Sequence, residues 1–202
     1  MGSLLIVNGS PRAPRSNSRQ YAALLRDRWD GLVEEYAVTD NRHAEIGARL
    51  GEFDELALVF PLYADALPAA LLRFLVALEG AHGGKRPRVH AIVNCGFLEP
   101  MQNHVAVEML RLFCAQQGFE FGMALCIGAG EAILTTPFSF LVRRKIKAFA
   151  REIRAGRSER LEVTMPLSPA AFVGASRKYW LRYGAKNGLE PQQMDTDEIE
   201  GS

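Results

Sequence analysis

Apolar and polar positions fall into two kinds of block that take turns along the chain. Leu4 to Val7, Leu32 to Val38, Leu56 to Phe60, Val89 to Asn94 and Phe119 to Ile127 are short runs without helical spacing, and the third holds no polar residue. Runs of that length bounded by turn residues read as strands, and a strand with no polar face is one covered on both sides. Between them the spacing changes to that of helices. Tyr21, Leu24, Leu25 and Trp29 predict a helix over Arg19 to Asp27 with Gly31 as its stop. Asp40 reads as an N-cap for a short helix to Leu50, closed by Gly51. Pro68 opens a third, with Leu71, Leu72, Leu75 and Leu78 inward until Gly80; a polar turn, Ala81 to Pro87, follows. Gln102 to Gln117 forms a fourth, with Val105, Met109, Leu112 and Phe113 inward. Thr136 and Pro137 open a fifth, which runs to about Ala155 and stops at Gly156.

Five strands alternating with five helices predict an α/β fold, a doubly wound five-stranded parallel sheet. The flavodoxin-like order 2-1-3-4-5 is the arrangement that binds one mononucleotide at the switch between strands one and three. That domain is expected to span residues 1–157. Beyond it, Leu161 to Phe172 carries Pro166 and Pro169 and reads as an extended arm outside the sheet. Val173 to Asn187 reads as a helix with Phe172, Tyr179, Trp180 and Tyr183 on one side, so residues 158–189 form a C-terminal helical extension. The acidic, apolar-poor segment 190–202 reads as disordered.

The candidate chemistry lies at the end of the first strand. Asn8-Gly9 gives way to a loop with Ser10, Arg12, Arg15, Ser16, Asn17 and Ser18, just before a helix start. Helix N-terminal N–H groups and the helix dipole favour an anion there, hydroxyls and an amide donate to it, and an arginine fork matches phosphate oxygens. A Walker loop needs Gly-Lys-Ser/Thr and a dinucleotide fingerprint needs three spaced glycines; Gly9 is the only glycine between Leu4 and Asp30. This loop grips with side chains, or else is a polar loop with a serine cap.

Gly9-Ser10-Pro11-Arg12 followed by Ser16-Asn17-Ser18 resembles the phosphate loop of the flavodoxin-like NAD(P)H-dependent FMN reductases and quinone reductases. The resemblance covers about Leu4 to Ala155. It implies FMN as cofactor and NAD(P)H as transient reductant, with phosphate held by Ser10, Arg12, Ser16, Asn17 and Ser18. It also gives the loop Pro61-Leu62-Tyr63-Ala64 the role of contacting the isoalloxazine; without it, Tyr63 stacks in the core and Pro68 opens a helix. Asp65 is a cap, a loop tip or a ligand contact. The loop after the fourth strand, Asn94-Cys95-Gly96-Phe97, contacts the flavin in the resembling families, although many carry a second glycine where Phe97 stands here. Main-chain N–H groups at Gly96 and Phe97 suit negative charge on a reduced flavin. Glu99, Gln102 and Asn103 bind substrate or cap the next helix.

The implied activity is hydride transfer from NAD(P)H through FMN to a quinone, a nitro or azo compound, or free flavin, with no catalytic side chain named. A non-enzymatic electron carrier or redox-sensing flavoprotein, and a scaffold with an empty fold, use the same elements. Flavodoxin carriers are strongly acidic, whereas this chain has a net charge of +1.

The rest of the composition narrows the partners. At 202 residues the chain can bury about 70% of its unfolded surface without disulfide or metal. Mixed charge gives no support for nucleic acid or membrane as partner. Cys95, Cys114 and Cys126 lack close pairing and sit in apolar segments, as in reduced cytoplasmic proteins; His43, His82, His90 and His104 have no metal-ligand spacing. Only four consecutive apolar residues precede Asn8, too few for a signal peptide or a membrane span. Gly128-Ala129-Gly130-Glu131 reads as a glycine turn at the sheet edge or as a pocket rim, and the cations Arg143, Arg144, Lys145, Lys147, Arg151 and Arg154 as a solvated helix face. The aromatic side of the C-terminal helix packs on its own domain, meets a membrane surface through Arg177, Lys178, Arg182 and Lys186, or covers a homodimer mate and closes the flavin pocket. The homodimer, a small-molecule electron acceptor and a cytoplasmic location are the expectations carried forward.

Overall fold

The computed structural model describes residues 2–13, 15–79 and 84–194. The five apolar runs form parallel strands β1 (Leu4–Asn8), β2 (Val33–Ala37), β3 (Glu55–Pro61), β4 (Arg88–Asn94) and β5 (Phe121–Ile127). A sixth, β6 (Arg160–Val163), pairs parallel with β5 from Ala124↔Arg160 to Ile127↔Val163, so the sheet order is β2-β1-β3-β4-β5-β6. This corrects the expected five-stranded sheet and the arm outside it. Arg160-Leu161-Glu162-Val163 alternates charged and apolar residues, which suits an edge strand half open to water. The first compact unit runs from Met1 to Met165.

Helices α1 (Asn17–Arg26), α2 (His43–Ala48), α3 (Ala69–Glu79), α4 (His104–Gln117) and α5 (Ser139–Arg154) connect the strands. Successive strand residues point to opposite faces. Leu5, Val7, Leu58, Phe60, Ala91 and Val93 form one core with Ile46, Phe74, Leu110 and Cys114 of α2, α3 and α4. Tyr21 and Leu25 of α1, with Ile146 and Phe149 of α5, are buried as well, and α1 and α5 touch each other and the sheet.

Three local expectations are revised. Asp40 ends a 3-10 turn (Val38–Asp40) instead of capping α2; Asn41, in the left-handed region at φ 54°, turns the chain, and no side chain caps the helix. Gly31 lies beyond the end of α1, and a Cβ there would collide with the carbonyl of Gly2, so it serves a close approach of two backbones. The inward face of α4 is Ala106, Val107, Leu110 and Cys114, with Met109 and Phe113 partly buried, while Val105 and Leu112 are exposed. The inward face mixes the small Ala106 and Cys114 with Val107 and Leu110, so apolar size alone does not set the phase of the helix.

The second unit, from Pro166 onward, holds α6 (Pro169–Lys186) and α7 (Pro191–Met194). The Ser168 hydroxyl accepts from the Ala171 N–H and caps α6, which begins a turn earlier than its apolar spacing indicates. Tyr179, Trp180 and Tyr183 are exposed and contact one another, with ring centroids 5.3–6.3 Å apart. The expected stop at Gly80, His82, residues 81–83 of the turn and the tail from Asp195 lie outside the described residues. No helix among those described is long and apolar enough to cross a membrane.

Candidate functional site

Three loops converge at the C-terminal ends of β1, β3 and β4, and asparagines join them. Asn8, the last residue of β1, accepts from the Ser10 N–H at 3.1 Å and donates through Nδ2 to Ser16 Oγ at 3.4 Å. An asparagine at a strand end that folds its own loop in this way is an Asx turn, a signal legible in Asn8-Gly9 and missed there. Ser10 Oγ accepts from the Arg12 N–H, and Ser16 caps α1 by accepting from the Arg19 N–H at 3.2 Å. Across the sheet, Asn94 at the end of β4 donates to Ser18 Oγ at 3.2 Å and to the Phe60 carbonyl at 3.0 Å, while its own carbonyl accepts from the Leu62 N–H at 2.8 Å.

Burial then sorts the expected phosphate-binding residues. Ser10 and Ser18 are 2% and 1% exposed and lie beneath the loop. Ser16 and Asn17 are half-buried and Arg12 is exposed, so these three are the reachable donors. Each serine oxygen accepts a hydrogen bond from a neighbour and keeps its own hydroxyl proton to give away. Together with the first N–H groups of α1, which have no partner inside the helix, they make a donor set suited to an anion.

The loop after β3 is a tight turn. Tyr63 and Ala66 form a two-residue bridge with N–H to carbonyl distances of 3.2 and 2.9 Å, and Ala64 and Asp65 between them both have positive φ, 46° and 56°. That is the geometry of a primed turn, normally built with Asn and Gly. Tyr63 stands 42% exposed, so it does not stack in the core, and Pro61 and Leu62 are half-buried.

After β4, Gly96 and Phe97 are exposed and Cys95 is buried. Burial raises the Cys95 thiol pKa, and its sulfur lies within reach of the Phe97, Glu99 and Ile127 carbonyls. Cys114 and Cys126 are pushed up to about 12 by burial, so all three thiols stay protonated at neutral pH. Asn103, fully buried, donates to Cys95 Sγ, the Pro100 carbonyl and the Ile127 carbonyl, and braces the turn into α4; Glu99 and Gln102 are exposed.

The Gly128–Glu131 loop is not at the sheet edge, because β6 lies beyond β5. It packs under the β4 loop: the Gly130 N–H donates to the Cys95 carbonyl at 2.7 Å and the Ala129 N–H to the Phe97 carbonyl. A Cβ on Gly130 would lie 2.7 Å from Asn94 Cβ, and one on Gly128 would strike the Leu98 carbonyl, so both positions require glycine. Tyr21 of α1 donates its buried hydroxyl to the Gly130 carbonyl at 2.6 Å, and burial raises the pKa of that phenol. Asn17 Nδ2 donates to the Glu131 carbonyl at 3.4 Å. Tyr21 was missed as a brace because it reads as an ordinary core residue.

The donor set at α1 and the exposed Tyr63 and Phe97 all lie on loops that follow the C-terminal ends of β1, β3 and β4. No protein-family model matches the sequence, and no curated protein matches it. An FMN-dependent NADH-azoreductase from Bacillus anthracis str. Ames Ancestor, solved in complex with FMN, aligns with 75% of this chain and 99% of its own at a TM-score of 0.58 and 12% identity. An NAD(P)H:quinone oxidoreductase from Methanothermobacter marburgensis aligns over 77% and 96% at 0.56 and 17%. A flavodoxin from Streptococcus pneumoniae TIGR4 aligns over 76% and 98% at 0.56 and 16%. The likeness is one of fold: the chain has a flavodoxin-like architecture with a sixth strand.

Proposed function

We propose, from the premise that this fold carries a phosphate-binding loop at its topological switch point, that the protein is an FMN-dependent oxidoreductase using NAD(P)H. The observation that supports it best is the set of serine, asparagine and helix N–H donors at the start of α1, beside the exposed turns after β3 and β4. Structural neighbours described as azoreductase and NAD(P)H:quinone oxidoreductase favour the same reaction class. The acceptor in this reading is a quinone, a nitro or azo compound, or free flavin.

Ser16, Asn17 and Arg12 bind the phosphate, with Ser10 and Ser18 bracing them. Pro61 to Ala64 present a stiff edge to the ring, and Asn94 fixes that loop to β4 through the Leu62 N–H. Gly96 and Phe97 offer main-chain N–H groups and an exposed aromatic face at the other edge. FMN held by these residues would supply the redox chemistry, hydride acceptance from a nicotinamide and electron donation to the acceptor. The residues bind, orient and tune, and no side chain has to move a proton.

The test is the visible spectrum of the purified protein with FMN, before and after NADH or NADPH without oxygen. Bands that bleach support the reductase; bands that persist with both nucleotides favour an electron carrier; no binding at micromolar FMN removes the flavin reading.

A further inference from the structure

Glu131 faces Gly96 across the gap between the β4 and β5 loops. A Cβ built on Gly96 lies 3.7 Å from Glu131 Cδ and 3.8 and 4.0 Å from its two carboxylate oxygens, so the exposed carboxylate lies beside the Gly96 backbone with no intervening side chain on that residue. Its place is held from two sides. The Asn17 side chain holds the Glu131 carbonyl, and the preceding Ala129 and Gly130 N–H groups are bonded to Phe97 and Cys95. The main chain that carries Glu131 is therefore tied both to the helix that carries the donor set and to the loop expected to meet the ring. Glu99 and Glu131 add to burial in raising the pKa of the Cys95 thiol, which agrees with an electronegative field at this spot.

We infer that Glu131 tunes the reducing strength of the bound cofactor: its carboxylate, beside Gly96, opposes the gain of negative charge by the ring and lowers the reduction potential of FMN. This rests on the FMN reading above. Reduction by hydride adds two electrons and one proton to the ring, leaving it with one more negative charge while the nicotinamide is oxidised to its cation. Main-chain N–H groups at Gly96 and Phe97 favour that charge and Glu131 disfavours it, so the residue at the end of the Gly128-Ala129-Gly130-Glu131 loop sets the balance between them. The bound reduced cofactor is thereby a stronger electron donor than a glycine loop alone would make it.

The experiment measures the affinity of the full chain for oxidised FMN and, without oxygen, for FMN reduced by dithionite, in the wild type, Glu131→Gln and Glu99→Gln. The expected result is that Glu131→Gln raises the ratio of reduced to oxidised affinity about tenfold, equivalent to about 30 mV for a two-electron couple, while Glu99→Gln moves it less. An unchanged ratio in Glu131→Gln, or an equal change in Glu99→Gln, overturns the inference and leaves FMN binding standing. Failure of the wild type to bind FMN overturns the functional reading and the inference with it.

Discussion

Asn94 Nδ2 donates to Ser18 Oγ at 3.2 Å, across 76 positions of sequence, and so ties the end of β4 to the first turn of α1 with both groups buried. The same amide also holds the Phe60 carbonyl at the end of β3. One side chain thus sets the spacing between the helix N-terminus and the loops after β3 and β4. Asn94→Ala removes both bonds and leaves the Phe60 carbonyl buried without that partner, at a cost of about 1–3 kcal/mol. Ser18→Ala leaves the Phe60 bond in place and costs less. Urea denaturation is expected to rank the two in that order, with FMN affinity falling about tenfold in Asn94→Ala. A double variant whose losses simply add would deny the coupling.

The turn at Ala64-Asp65 is strained by its own residues. An alanine in the left-handed region costs roughly 1–2 kcal/mol, against roughly 0.5–1 kcal/mol for the extra freedom of an unfolded glycine. Ala64→Gly is therefore expected to stabilise the protein by up to about 1 kcal/mol, seen as a higher urea midpoint at unchanged m-value. A lower midpoint would mean that Ala64 does not hold φ 46° in solution.

Strand and helix order was legible because buried parallel strands are almost wholly apolar, as Leu56 to Phe60 illustrates. β6 was not: in Arg160-Leu161-Glu162-Val163 half the positions face water and carry charge, so the run has no continuous apolar signal. The phase of α4 was misread for a related reason. The inward face includes the small Ala106 and Cys114, which periodicity weighted by hydrophobicity passes over in favour of the exposed Val105 and Leu112. At the site, residue types near the first loop could be read from order along the chain. Their division into reachable Ser16, Asn17 and Arg12 and buried Ser10 and Ser18 depends on partners such as Asn8 and Asn94, which a linear pattern does not pair.

Two serine caps separate helix stability from ligand binding. Ser16 caps α1 and Ser168 caps α6, each through one main-chain N–H. Losing either cap costs about 1 kcal/mol of stability for its helix. Ser16→Ala is also expected to weaken FMN binding by tenfold or more, because the hydroxyl proton of Ser16 is a reachable donor. Ser168→Ala should leave FMN affinity unchanged. Titration of both variants with FMN checks this, and equal affinities would remove Ser16 from the phosphate site.

His90 makes folding stability depend on pH. It is fully buried in β4, its Nδ1 accepts from the Met123 N–H at 2.9 Å, and its Nε2 lies 2.7 Å from a Glu55 carboxylate oxygen. An acceptor at Nδ1 requires a lone pair there, so the proton sits on Nε2 and the contact with Glu55 is a hydrogen bond from a neutral ring. Burial holds the His90 pKa below its usual 6.5, outweighing the pull of Glu55 in the other direction. Below about pH 6.5 the unfolded chain binds a proton at this residue that the folded chain refuses. The stabilising contribution is thus complete above that pH and shrinks as the pH falls from about 6.5 toward the folded-state value, at up to about 1.4 kcal/mol per pH unit. His43, also lowered by burial, adds a slope of the same sign. The check is urea denaturation of the wild type and His90→Gln at several values between pH 7.5 and 5.5. His90→Gln starts less stable, having lost the paired ring, and its stability should fall less steeply across that interval; parallel curves would show that folding leaves the His90 pKa unshifted.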